Sequence, residues 1–117
     1  MEKIAKMAPV KKTIFLFHAP PYGGKLDLMY RNMHIGSIAI QRFITHHQPF
    51  LTLHGHIHES PDMTGSWREQ IGRTYALSGV NDSPGLTIVR FDTDQLEHAT
   101  RQTILPLGAF GDAEATD

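Results

Sequence analysis

Three histidines stand at alternate positions in the segment Pro49 to Glu59, whose sequence is PFLTLHGHIHE. Side chains two positions apart in an extended chain point the same way, so His56 and His58 are predicted to present their imidazoles to one side while Ile57 points to the other. Neutral imidazole is a common protein ligand for zinc, manganese and iron-type ions. The pattern therefore favours a metal site over a histidine-rich surface turn.

Two neighbours of these histidines are expected to support them. Gly55 has no Cβ, which allows the backbone to turn sharply or to approach a ligand closely where the strand ends. His54 is expected to lie behind the ligands or to pack in the interior, because two imidazoles from one strand already fill most of the near side of one ion. We therefore do not expect His54 to bind the ion directly.

Two apolar runs predict the strands that position these residues. Phe50 to Leu53 contains the aromatic and branched residues typical of a buried strand. Thr13 to Phe17 is a continuous apolar run, which predicts a strand buried on both faces. It is followed by His18, and then by Pro20 and Pro21, which cannot continue a strand ladder. His18 is therefore placed at the end of a strand.

A helix is predicted between the two strands. Ser37 suits the capping position, and the helix should end near His47, before Pro49. The order strand, helix, strand predicts a βαβ crossover with parallel strands. Open α/β sheets bind ligands at the carboxyl ends of their strands. We therefore expect His18 and His56 to meet at that edge.

The second half of the chain predicts mainly β structure. Three strands are expected at Arg73 to Ser78, Gly85 to Phe91 and Glu97 to Leu105, and their short connections make them antiparallel neighbours. The segment Ser60 to Gly72 is predicted to be a polar loop, in which Trp67 packs. The fold class is therefore α/β, with a mixed sheet in which a βαβ unit is followed by antiparallel strands.

The other candidate residues carry weaker signals. His46 and His47 suit the end of a helix, where a cation interacts favourably with the dipole, while His34 and His98 have no predicted partner. Four acidic residues lie nearest to the predicted site in the sequence, and most are expected to be solvated: Asp27, Glu59, Asp62 and Asp82.

Composition limits the class of protein. The 117 residues suffice for at most one domain, assigned to residues 1–107, with a small, acidic and flexible tail at 108–117. Eleven basic and twelve acidic residues give no indication of nucleic acid or an anionic membrane as partner. The absence of cysteine excludes disulfides and thiolate metal sites. No apolar run approaches the roughly 18 residues of a membrane span, so we expect a cytoplasmic protein.

Taken together, these motifs resemble the carboxyl-terminal half of the calcineurin-like metallophosphoesterases. The resemblance rests on a strand ending in His18 before two prolines, a helix, and a strand ending in Gly55, His56, Ile57 and His58. It covers about Thr13 to Phe91. It implies half of an αββα sandwich, in which two mixed sheets are flanked by helices.

The resemblance also implies an activity. In that family two metal ions lie at the strand ends, and a metal-bound hydroxide attacks phosphorus. This implies hydrolysis of phosphomonoesters or phosphodiesters with one or two divalent ions of the manganese, zinc or iron type. Carried over by position, His18 and His56 would bind one ion and His58 the other, while Gly55 would keep the turn open. No catalytic residue is assigned.

The amino-terminal motifs of that family have no counterpart here. The family supplies an Asp-x-His pair, a bridging aspartate after glycine, and a Gly-Asn-His-Asp/Glu segment, and none occurs in this sequence. The missing half would come from another chain, or the chain is a truncated product, or the site has become simpler. Half of a sandwich would expose an apolar face, so we expect a homo-oligomer or a complementing amino-terminal half.

Two alternatives to a phosphoesterase stay open. The first is a non-catalytic metal-binding or interaction module derived from the same fold, which the missing motifs favour. The second is a single-ion site formed by His18, His56, His58 and water, similar to three-histidine hydrolytic zinc sites.

Overall fold

The structure is a computed structural model that describes Lys3, Lys6 and residues 9–57, 60–81 and 85–104, with Asp62 described by its backbone alone. Its strands are β1 (Ile14–Leu16), β2 (Leu28–Met29), β3 (Met33–His34), β4 (Leu51–His54), β5 (Arg68–Ile71), β6 (Thr74–Ser78), β7 (Leu86–Arg90) and β8 (Thr100–Ile104). Its helices are α1 (Ile38–His47) and α2 (Ser60–Thr64). Short 3-10 turns lie at Val10–Lys12, Tyr30–Asn32 and Leu96–His98.

Helix α1 follows the pattern predicted for it. The Ser37 hydroxyl accepts a hydrogen bond from the Ile40 N–H at 3.1 Å, a cap typically worth about 1 kcal/mol. The apolar stripe of the helix is buried, and its side chains are Ile40, Phe43 and Ile44. The helix ends at His47, and the next residue, Gln48, caps it with a left-handed backbone. The predicted capped helix is confirmed.

Four strands form the central sheet in the order β1-β4-β6-β5. Strands β1, β4 and β6 are parallel, and β5 is antiparallel to β6. Leu16 lies opposite Leu53, which in turn lies opposite Leu77. The βαβ crossover from β1 through α1 to β4 and the mixed α/β sheet are therefore confirmed.

The predicted arrangement of the last strands is partly wrong. The segment expected to be a polar loop contains α2 and β5, and β6 pairs with β5 and β4 instead of with β7. Strand β5 escaped prediction because it is a polar edge strand, with exposed Arg68 and Gln70 alternating with half-buried residues. Strands β7 and β8 are antiparallel as predicted, but they form a separate two-stranded ribbon.

The sheet has a different layer on each face. On one face, Phe15 and Phe17 pack against α1, and the Phe15 and Phe43 rings meet edge to face at 5.1 Å. On the other face, a second apolar cluster is formed with the ribbon and the last 3-10 turn, and its buried members are Leu51, Leu77, Leu96 and Ala99. The order of layers is therefore helix, sheet, ribbon.

Strand β1 is more exposed than predicted. Ile14 is 41% exposed and Leu16 is 81% exposed, whereas the sequence predicted a strand buried on both faces. The strand lies at the edge of the sheet, with β4 as its single neighbour among the described strands. The β1 edge, defined by Ile14 and Leu16, is thus an open apolar surface of the described chain.

The connection from β1 to α1 is built around Asp27. This side chain is fully buried, although most of the nearby acids were expected to be solvated. Its two carboxylate oxygens accept hydrogen bonds from three backbone N–H groups, those of Gly23, Gly24 and Gly36, at 2.8 to 3.1 Å. Asp27 is therefore an exception to that expectation, because three amides that point inward can solvate a carboxylate in place of water.

Several predictions concern residues outside the described ranges, namely His58, Glu59, Asp82 and the tail at 108–117. None of the helices within the described part of the chain is long and apolar enough to cross a lipid bilayer.

Candidate functional site

His18 and His56 meet at the carboxyl edge of the sheet. The His18 Nε2 atom lies 3.0 Å from the His56 Nδ1 atom, and the ring centroids are 4.6 Å apart. The two residues follow β1 and β4, whose ends are joined by hydrogen bonds from Phe17 N–H to the Leu53 carbonyl and from Gly55 N–H to the His18 carbonyl. Parallel pairing therefore brings together two histidines that are 38 positions apart in the sequence.

Both imidazoles are solvent-exposed. Within the described part of the chain, neither ring makes a hydrogen bond other than the one that joins them. One of the two nitrogens carries the shared proton and the other accepts it. The ring nitrogen atoms of the pair are therefore accessible to a ligand from solvent.

The backbone turns sharply at His56 instead of at Gly55. His56 has φ of 76°, in the left-handed region that side chains with a Cβ rarely adopt. The Ile57 N–H donates to the Gly55 carbonyl at 3.0 Å, which closes a three-residue turn around His56. Gly55 does not have positive φ, and the nearest atom to a Cβ built there would be the His18 carbonyl oxygen at 3.4 Å.

This turn changes the geometry assumed from the sequence. The extended chain ends at His54, so the alternation of side chains that predicted how His56 points does not apply beyond that residue. Ile57 is buried, and the turn takes it into the interior while His56 stays outside. Strained backbone of this kind is concentrated at functional sites. His58 lies beyond the described residues, and its role stays a prediction.

His54 is held inside the protein by both of its ring nitrogens. Nδ1 lies 2.9 Å from the Ala19 carbonyl, to which it donates, and Nε2 lies 2.7 Å from the Thr52 hydroxyl, from which it accepts. Burial lowers the pKa of His54 to about 4, and the Ala19 hydrogen bond opposes that shift. His54 is therefore neutral at pH 7 and fixes the residue that follows His18.

The sequence missed one further pair, formed by His34 and Asp27. The His34 Nδ1 atom lies 2.7 Å from the Asp27 carboxylate. A sequence signal for a buried acceptor did exist, because three glycines surround Asp27 in the chain and glycine lets backbone amides approach closely. Gly36 requires that residue type, since a Cβ there would lie 2.7 Å from the Pro21 carbonyl oxygen.

The loop that contains Asp27 is attached to the residues that follow β1 and to helix α2. Near β1, the Ser37 N–H donates to the Pro20 carbonyl, and the Tyr22 N–H donates to the Ser37 carbonyl. In α2, the buried Ser60 hydroxyl accepts from the Leu28 N–H and donates to the Lys25 carbonyl. The loop therefore begins at the carboxyl edge of the sheet, where β1 ends, and is held to α2.

The histidine pair fits part of a divalent metal site. Two nitrogens bound to one tetrahedral zinc ion, at about 2.0 to 2.1 Å each, would lie roughly 3.3 Å apart, close to the observed separation. Among the described residues, however, no group of three or more His, Cys, Asp or Glu side chains could hold an ion. The described residues thus bring together two imidazoles that could bind an ion, and a complete site would need further ligands.

An open cleft of about 460 Å³ lies beside the pair. It is lined by Leu16, Phe17, His18, His54 and Gly55. The cleft connects the exposed end of β1 with the histidines, so a molecule or chain segment lying against Leu16 would also lie beside His18.

Comparison with known proteins gives a likeness in fold alone. No family model and no curated protein matches the chain. A crystal structure is similar, with a TM-score of 0.66 and 19% sequence identity. The match covers 87% of this chain and 37% of the other, so the chain spans little more than a third of that protein's length. At this identity the similarity indicates a shared fold and no shared activity.

Proposed function

We propose that this chain is part of a metal-dependent phosphoesterase, in which His18 and His56 bind a divalent ion and His58 adds a ligand. The observation that carries the proposal is the 3.0 Å separation of two exposed imidazole nitrogens at the ends of adjacent parallel strands. Open α/β sheets bind ligands at this edge. The calcineurin-like metallophosphoesterases, which the motifs resemble, supply the substrate class.

The arrangement suits the chemistry of phosphate esters. A divalent ion bound there would polarise phosphoryl oxygens and lower the pKa of a coordinated water. A histidine binds an ion through the lone pair of an unprotonated ring nitrogen. One hydrogen now lies between Nε2 of His18 and Nδ1 of His56, so metal binding requires the ring that carries it to hold it on its other nitrogen instead. Neutral His54 would hold Ala19, and with it His18, from behind.

A partner chain is also part of the proposal. We infer that the layers of helix, sheet and ribbon form half of an αββα sandwich, and that further ligands come from a second copy of the chain or from a complementing amino-terminal half. The open β1 edge favours this, because Leu16 is 81% exposed beside the cleft at His18. Large exposed apolar surfaces commonly mark association sites.

The first experiment measures metal binding by tag-free protein. Zinc and manganese are added separately, excess metal is removed, and metal per chain is determined by elemental analysis, with affinities from calorimetry. We expect His18→Ala and His56→Ala to weaken zinc binding at least about tenfold, the effect of losing one ligand contact worth about 1.4 kcal/mol. His46→Ala is the matched control, since His46 is an exposed histidine at the end of α1. Unchanged metal content in His56→Ala would show that the assignment is wrong.

Hydrolysis is then assayed with metal-loaded protein. Phenyl phosphate and a diphenyl phosphodiester distinguish monoesterase from diesterase activity, and sedimentation gives the oligomeric state of the same samples. About two ions per chain with hydrolysis in an oligomer is the expected result. Hydrolysis that survives in both His18→Ala and His56→Ala would contradict the proposed site.

The second candidate is a metal-binding module without catalysis. Its support is that the described residues bring only two ligands together, with no third acidic or histidine side chain near them. This candidate predicts tight metal binding without hydrolysis of either ester. A stoichiometry of one ion per chain with hydrolysis would instead favour the single-ion site of three histidines and water.

A further inference from the structure

The Asp27 carboxylate is fully buried, and both of its oxygen atoms accept hydrogen bonds. Its oxygens accept from Gly23, Gly24 and Gly36 and face the His34 imidazole, so four donors surround one fully buried group. A buried carboxylate of this kind is stable only when it is fully hydrogen-bonded. Asp27 cannot move without losing its three backbone hydrogen bonds. The His34 ring, which is bonded to Asp27, is therefore held in one orientation.

The His34 ring is oriented with one nitrogen inward and one outward. Nδ1 must carry a hydrogen, since its partner is a carboxylate that only accepts. The His34 side chain is 34% exposed, and in the described part of the chain its Nε2 atom has no hydrogen-bond partner. A carboxylate that fixes an imidazole in this way leaves Nε2 available to a ligand or a reacting group.

The loop that carries His34 also contains a tyrosine and a lysine. The Tyr22 ring lies edge-on to the His34 ring at 6.0 Å, and the neighbouring Lys25 side chain is exposed. Among the acids whose side chains are described, Glu69 also lies in this region, and it accepts from the Lys25 N–H at 3.0 Å. Burial raises the pKa of Glu69, although the Lys25 hydrogen bond opposes the shift.

We propose that His34 contacts the phosphate ester, donating a hydrogen bond from Nε2 to an ester or phosphoryl oxygen, and that Asp27 is the positioning residue for it. The loop that carries both residues leaves the carboxyl end of β1, just after His18, and is held by hydrogen bonds to Ser37 and to Ser60 of α2. This inference rests on the proposed function, because it assigns a substrate contact to the same edge. In its protonated form His34 carries one N–H toward Asp27 and the other toward the ligand.

The variant His34→Asn separates contact from structure. An asparagine amide can take the place of Nδ1–H and donate to Asp27, but it has no group at the position of Nε2. The loop should therefore persist in His34→Asn while the contact with the phosphate is lost. His98→Asn is the matched control, since His98 is another exposed histidine whose Nδ1 faces a side-chain oxygen, that of Gln95.

The experiment uses NMR of the full chain with ¹⁵N-labelled histidine rings. Phenyl phosphate is titrated with and without zinc, and zinc is titrated alone. We expect the His34 Nε2 resonance to shift saturably with phenyl phosphate. His34→Asn should weaken phenyl phosphate binding at least about tenfold, typical of a hydrogen bond to a charged group, with zinc affinity unchanged. His98→Asn should bind both as the wild type does.

The outcomes separate this inference from the proposed function. If zinc shifts His18 and His56 but phenyl phosphate leaves His34 unmoved, the inference is overturned and the metal site stands. If His34 responds to phenyl phosphate while His18 and His56 ignore zinc, the phosphate contact is supported and the proposed metal site fails. Wild-type phenyl phosphate affinity in His34→Asn, or a His34 ring protonated only on Nε2, also overturns the inference.

Discussion

The Asp27 loop and the turn at His56 lie at the same edge of the sheet, but the loop buries its polar group and the turn leaves its polar groups exposed. Asp27 is fully buried and has four hydrogen-bond donors around it. His18 and His56 are exposed, share one hydrogen bond, and include a residue with φ of 76°. In the first region, the polar groups are hydrogen-bonded to other groups of the protein. The second keeps strain and accessible nitrogen atoms, which a ligand would use.

The largest expected effect comes from Asp27→Ala. It leaves three backbone N–H groups and the His34 ring without their acceptor in a buried place, so we expect the free energy of unfolding to fall by roughly 3 to 5 kcal/mol. Urea denaturation measures the loss. His34→Asn, which keeps a donor for Asp27, should cost about 1 kcal/mol or less. A small loss in Asp27→Ala would show that the loop does not depend on the carboxylate.

A pair of leucines tests the open β1 edge. Leu51 is fully buried, and Leu51→Ala should lower the free energy of unfolding by about 3 kcal/mol. Leu16 is 81% exposed, so Leu16→Ala should change it by less than about 0.5 kcal/mol at low protein concentration. Sedimentation should show weaker self-association of Leu16→Ala if two copies associate through this edge. A loss in the Leu16→Ala monomer as large as that in Leu51→Ala would mean that the edge is covered within one chain.

The buried His54 should make the free energy of unfolding depend on pH. Its pKa falls from 6.5 to about 4 on folding, so between these values the unfolded chain binds more protons than the folded one. Stability from this residue is therefore complete above pH 6.5 and is lost as the pH falls toward 4. From pH 7 to pH 5 the expected loss is about 2 kcal/mol.

Urea denaturation of His54→Gln at both pH values checks this assignment. Without the imidazole, most of the difference in the free energy of unfolding between pH 7 and pH 5 should disappear. Glu69→Gln is the control: the pKa of Glu69 is raised on folding, so its ionisation makes stability fall with increasing pH, opposite to His54. An unchanged difference in His54→Gln would show that another group is responsible.

A small gain in stability is expected from His56→Gly. Glycine adopts positive φ without strain, which should offset the greater flexibility that it gives the unfolded chain and raise the free energy of unfolding by about 0.5 to 1 kcal/mol. The same change should reduce zinc affinity. Asn32→Gly is the control, since Asn32 has φ of 59° but asparagine tolerates that conformation better. A loss of stability in His56→Gly would mean that the imidazole stabilises the turn.

Helix α1 and strands β1 and β4 could be predicted because their signals are local. Ser37 caps the helix through a contact three residues away, and the runs before His18 and His54 consist mainly of aromatic and branched apolar residues. A helix that crosses over between the two strands makes them parallel, which predicted that His18 and His56 would meet. Strand β5 could not be predicted in the same way, because its polar residues satisfy an edge position that exists only once β6 is in place.

The sequence by itself determined the βαβ unit, the mixed sheet and the residues available for binding, since propensity, capping and apolar periodicity act over a few positions. Only the tertiary structure decided which polar groups are buried. Asp27 gains its donors from both ends of a loop, His54 binds Ala19 across two strands, and His56 takes the strained turn while Gly55 does not. The physical reason is that burial and hydrogen bonding depend on residues that are distant in the chain, which local patterns do not encode.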